Sequence, residues 1–130
     1  MQVFEFTINE RLVGLNEIVN KARGNKYAAA KMKKEQDELI YWMIKMNGKP
    51  KGMKFTGPVT IGFRYFEADK RRDPDNIEAC RKFILDALVK AEVLAGDGWK
   101  HLAMPTPFLE PEFYIDGERP RVEVRIEGEA

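Results

Sequence analysis

Between Val59 and Ala91 the apolar residues change period, and a short charged stretch divides the two patterns. VTIGFRYF (59 to 66) alternates, placing Val59, Ile61, Phe63 and Tyr65 on one face, as a half-buried strand requires. From Pro74 onward Ile77, Cys80, Ile84, Leu88 and Ala91 recur at spacings of three and four. That spacing marks the buried side of a helix, predicted over Pro74 to Val93. A strand that runs almost directly into an amphipathic helix restricts the chain to a mixed fold, with helices packed on a sheet.

The flanking segments extend this pattern. Phe4, Phe6 and Ile8 share one face of a strand over residues 2 to 8. Residues 9 to 25 read as loop, with a helical turn around Asn16 to Lys21. Lys26 to Met46 reads as a long helix with Met32, Leu39, Met43 and Met46 on one side, stopped by the glycines and proline of NGKPKG (47 to 52). AGDG (95 to 98) ends the second helix. Residues 101 to 118 are irregular, with FYI (113 to 115) extended. Asp116-Gly117 marks a turn, and Val122, Val124 and Ile126 form a last strand. The order is β-α-β-α-β-β, an α/β (α+β) single domain over residues 1 to 130. Its small mixed sheet packs with two main helices, and 130 residues suit one core.

Net charge is +1, yet the charges are unevenly spread. Residues 1 to 72 carry 15 lysines and arginines against 8 acids, and residues 73 to 130 carry 7 against 13. A basic half joined to an acidic half suits a polyanion at one and a cation at the other; chance asymmetry on a solvated surface is the plainer alternative. No apolar run reaches the roughly 20 residues of a membrane span. The opening MQVFEFTINER lacks the pattern of a secretory leader, and a single cysteine, Cys80, suits a reducing compartment. The expectation is a cytoplasmic protein without membrane contact.

The charged stretch itself is KRRDPDN, residues 70 to 76. Asp73 is placed to cap the helix, Pro74 suits its first position, and Asp75 meets the positive end of its dipole. A helix start therefore accounts for both aspartates but not for Lys70, Arg71 and Arg72. Asp97 adds a third carboxylate in the glycine-flanked break after the helix. Three carboxylates form an oxygen donor set suited to Mg²⁺ or Mn²⁺. Against this, a helix of about 20 residues spans about 30 Å, so Asp97 meets Asp73 only if the chain returns or a second copy supplies it. A phosphate held by Lys70, Arg71 and Arg72 would lie beside such a metal. Lys31, Lys33 and Lys34, with Lys26, Lys49, Lys51 and Lys54, each read singly as part of a solvated face, and collectively as a wider basic surface for a polyanion. His101 and Cys80 read as packing residues. Trp99 reads either as core-edge packing or as a ring that stacks on an exposed base.

RRDPDN, LDAL (85 to 88) and VLAGDGWKHL (93 to 102) together resemble the signature of RusA-type Holliday junction resolvases, small endodeoxyribonucleases usually borne by phages or prophages. The resemblance is carried mainly by residues 70 to 102. It implies a homodimer of mixed α/β fold that cuts four-way DNA junctions symmetrically with Mg²⁺ or Mn²⁺ in recombination and repair. Position by position, it implies metal ligation and catalysis by Asp73, Asp75 and Asp97, with Asn76 as the motif's asparagine. Two positions depart from the pattern. Ala79 stands where the family usually has a lysine, and Gly96 where it has the first of two adjacent acids. Lys82 shares a helical stripe with Asp75, Ala79 and Asp86, so it is the candidate substitute for the missing lysine; its plainer reading is an i,i+4 partner of Glu78 or Asp86. These departures leave open a DNA-binding protein of the same fold with weakened or absent cutting. A structural domain whose acids are only caps and turns is the third reading.

Overall fold

The computed structural model describes residues 1–129. Four strands form one sheet: β1 (Gln2–Ile8), β2 (Val59–Glu67), β3 (Glu112–Ile115) and β4 (Arg121–Gly128), in the order β1-β4-β2-β3. β4 pairs antiparallel with both β1 and β2, whereas β3 runs parallel to β2. A parallel neighbour needs a crossover, and the chain between β2 and β3 supplies it with two helices, α3 (Pro74–Glu78) and α4 (Arg81–Lys90). Two more helices, α1 (Leu15–Gly24) and α2 (Lys26–Asn47), join β1 to β2. The fold is α+β with a small mixed sheet.

Alternation divides the sheet into two faces. Phe4, Phe6 and Ile8, then Val59, Ile61, Phe63 and Tyr65, then Val122, Val124 and Ile126 are all buried in the same core. Ile40 and Ile44 of α2 and Ile77, Cys80, Ile84 and Leu88 of the α3–α4 segment close over them. The opposite face carries an ion ladder, in which Arg125 pairs with Glu5 and Glu127, Arg64 with Glu112 and Glu123, and Arg121 with Asp116 and Glu123. Arg64, from the basic half, meets two acids of the acidic half here.

Four features differ from the sequence expectation. Residues 15 to 24 form a whole helix, not a single turn in a loop. The long second helix is split: at Ala79 and Cys80 the backbone stays right-handed but ψ shifts to −20 and −11, away from the α-helical value, and the two residues form a turn between α3 and α4. Met46 points outward at 68% exposure, since Ile40 and Ile44 centre the buried stripe of α2 and a residue two places on lies about 200° round the helix.

Nor does α4 end at AGDG. It stops at Lys90, and Glu92 adopts the left-handed conformation at φ 61. The Glu92 N–H donates to the Val89 carbonyl (3.0 Å) and the Val93 N–H to the Leu88 carbonyl (3.0 Å), the paired bonds of a Schellman turn. A glycine is the usual residue there because a Cβ is strained in this conformation. Glu92→Gly is therefore expected to raise unfolding stability by about 1 kcal/mol in chemical denaturation; a loss of stability would contradict this account of the turn.

Candidate functional site

Glu67 is the last inward position of β2, following Val59, Ile61, Phe63 and Tyr65 at intervals of two. Alternation thus drives a carboxylate into the edge of the core, where an unpaired charge is costly. Arg72 meets it. Its Nε and Nη2 donate to the two Glu67 carboxylate oxygens, both at 2.8 Å, and its Nη1 donates to the Leu12 carbonyl at 3.0 Å. Both side chains are nearly buried, at 10% and 9% exposure. Glu17 of α1 adds a second carboxylate 3.7 Å from Arg72. Arg72 was a sequence candidate for DNA contact, and its burial corrects that reading: the guanidinium is consumed inside the fold.

Asn76 has a related task. Its Oδ1 accepts from the Asn16 N–H at 3.2 Å, at the start of α1. Gly14 lies so close that a Cβ there would be 2.4 Å from Asn76 Oδ1 and 2.7 Å from Arg72 Nη1. Arg72 and Asn76 together dock the chain before α1 onto the head of α3, and only a glycine fits between them.

The two aspartates of the motif are left uncommitted. Asp73 occupies the N-cap position, and its carbonyl accepts from the Ile77 N–H (3.1 Å), but its carboxylate makes no cap hydrogen bond. Asp75 Oδ1 accepts only from the adjacent Asn76 N–H, at 3.0 Å. Both residues are exposed, and neither has an ion-pair partner among the described residues, although three cations precede them. Arg71 is turned back to Asp69 at 3.4 Å, and Lys70 is exposed.

Asp97 lies apart from this pair, yet not at the far end of α4. After the Schellman turn Phe55 donates its N–H to the Val93 carbonyl (2.9 Å), and the chain returns until Asp97 Oδ2 lies 3.5 Å from Lys82 Nζ in the first turn of α4. Lys82 also contacts Asp86, at 3.0 Å. The hydrogen bond that Lys82 donates to Asp86 is the main cause that holds the Lys82 ammonium above the usual lysine range, with Asp97 adding to it. Lys82 therefore pairs with Asp86, as its plainer reading expected, and with Asp97; it has no ion pair with Asp75, from which the turn at Ala79 and Cys80 separates it. On α2, Asp37 has a carboxylate raised by burial first and by Asp86 second. The spacing of 82 and 86 signals Lys82 with Asp86, but nothing in the sequence signals Asp37. Among the described residues no three acids, histidines or cysteines are grouped closely enough to hold a metal.

A fit to Mg²⁺ or Mn²⁺ therefore concerns Asp73 and Asp75. They are hard oxygen donors without a competing cation, and Mg²⁺ commonly takes one or two carboxylates and keeps its waters. Asp97 is committed to Lys82 within this chain. The departure at Gly96 has a local cause, since a Cβ there would be 2.5 Å from the His101 ring. Cys80 is buried, which pushes its thiol up to about 12. Lys31, Lys33 and Lys34 are exposed on the N-terminal half of α2, with Lys31 3.9 Å from Glu35.

This arrangement separates framework from chemistry in one motif. Arg72→Met strands Glu67 unpaired and is expected to cost about 3 kcal/mol or more in chemical denaturation. Asp73→Asn and Asp75→Asn are expected to change stability by less than about 0.5 kcal/mol. Comparison with known proteins finds no family model that matches the chain, and no curated protein matches it.

Proposed function

We propose that the protein is a metal-dependent, structure-selective endodeoxyribonuclease that resolves four-way DNA junctions by paired phosphodiester hydrolysis. The observation that carries this reading is the state of Asp73 and Asp75: two exposed carboxylates at a helix head, without a cap bond or an ion pair among the described residues, on a backbone that Arg72 and Asn76 anchor through Glu67 and Asn16. Aspartates serving only as a cap and a dipole partner would leave the Asp73 carboxylate bonded to a backbone N–H. The resemblance of RRDPDN, LDAL and VLAGDGWKHL to RusA-type resolvases points the same way.

Asp73 and Asp75 would hold Mg²⁺ or Mn²⁺; Asp97, the third acid that the resemblance assigns, is paired with Lys82 and would have to leave it to join them. Bound there, the ion would lower the pKa of a water and polarise the phosphoryl oxygen. Lys70 and Arg71, exposed beside the acids, bind the phosphate backbone. Lys31, Lys33 and Lys34 extend that basic surface along α2, which is tied to the acids through α1 and Asn76. A junction has near two-fold symmetry, so a homodimer with two such sites suits paired cuts.

A second reading has its own support. Lys82 is paired with Asp86 and Asp97, and Ala79 stands where the resembled family has a lysine. Both favour a junction-binding protein with weakened cutting. The two readings separate on a labelled synthetic four-way junction with Mg²⁺ or Mn²⁺ and linear duplex as competitor. The nuclease reading expects paired, metal-requiring nicks that fall by about a hundredfold or more in Asp75→Asn, outer-shell partners of a metal alone being worth ten- to a hundredfold. Salt-sensitive binding with no cut under either ion would overturn it in favour of the binding protein.

A further inference from the structure

Asp97 opens onto a tight turn. The His101 N–H donates to the Gly98 carbonyl at 3.0 Å, which places Trp99 and Lys100 at the two corner positions. Both are exposed, and Trp99 is 83% exposed. Leaving an indole this far in water forgoes the burial that normally holds a tryptophan. The reading of Trp99 as core-edge packing is therefore wrong.

The turn is nonetheless fixed at both ends. The His101 carbonyl accepts from the Val59 N–H (3.2 Å), and the Ala103 N–H donates to the Val59 carbonyl (2.9 Å), so its exit is stitched to the edge of β2. At its entrance Asp97 pairs with Lys82, and the His101 ring packs on Gly96. The turn therefore holds the Trp99 backbone in place while its ring stays uncovered. Its neighbours in sequence are a glycine and a lysine, so it is a single exposed ring next to a cationic residue and not part of an apolar run.

We infer that Trp99 is a base-stacking platform, with Lys100 holding the adjoining phosphate, that engages an unstacked base at the branch point of the DNA. This rests on the proposed nuclease reading and adds to it the source of preference for branched over continuous DNA. In continuous duplex every base is stacked on both faces and offers none to an indole. At a branch, bases unstack readily, and an aromatic side chain stacks on any of them.

The test uses Asp75→Asn, which keeps bound DNA uncut, with Trp42→Phe so that Trp99 is the one tryptophan of the two remaining. A four-way junction and a continuous duplex of the same arm sequence are compared by gel retention and by tryptophan fluorescence. The junction is expected to quench Trp99 and the duplex, at equal occupancy, to leave it bright. Trp99→Ala should weaken junction binding about tenfold, with duplex binding changed by less than about twofold and Trp99→Phe recovering most of the loss. Junction binding that is unchanged in Trp99→Ala, or a junction that leaves Trp99 as bright as the duplex does at equal occupancy, would overturn the platform while leaving the nuclease reading standing. Absence of any DNA binding, by either readout, would overturn both.

Discussion

The ion pair between Glu67 and Arg72 sets the geometry around it. β2 ends with a carboxylate pointing inward, and a buried carboxylate needs a partner with matched geometry. A bidentate arginine supplies both hydrogen bonds and leaves a third for the Leu12 carbonyl. The chain between residues 67 and 72 must therefore turn back on itself. That turn fixes where Asp73 begins the next helix, and Leu12 and Glu17 fix where α1 begins. One interaction joins the end of the sheet, the head of α3 and the entrance of α1.

The short charged motif then divides its work. Arg72 and Asn76 point inward and hold the local backbone, whereas Asp73 and Asp75 are exposed without an ion-pair partner among the described residues. Such a division is what a metal or phosphate site requires: donors that are free, on a backbone that is not. Lys82 makes the opposite contribution. It pairs with Asp97 once the chain has returned to the first turn of α4, and with Asp86 on its own helix.

Much of the fold was legible in the residues. The alternation of Phe4, Phe6 and Ile8, of Val59 to Tyr65 and of Val122 to Ile126 marked the inner face of the sheet, and the spacing of Ile77, Cys80, Ile84 and Leu88 marked the buried side of the crossover. What stayed hidden depends on contacts distant in sequence. α1 has a polar sequence and no fully buried residue, and is held through Asn16, Glu17 and Ile18 by groups far along the chain. The stop at Glu92 uses a non-glycine residue where a glycine is the recognisable signal. The candidate site was legible as a motif but not as a division of roles: spacing shows that Arg72 stands beside Asp73, and only the fold shows that Glu67 takes it. The return of Asp97 toward α4 follows from the turn at Glu92, which no periodicity contains.

Free carboxylates on a fixed backbone at Asp73 and Asp75 are the central claim, and Mn²⁺ tests it most directly. Titrated into the ¹⁵N-labelled protein, the paramagnetic ion should broaden backbone amide signals centred on residues 73 to 76 before any others, and Asp73→Asn with Asp75→Asn should abolish that focus. Broadening centred instead on Asp37 and Asp86, or spread evenly over the acidic surface, would contradict the account.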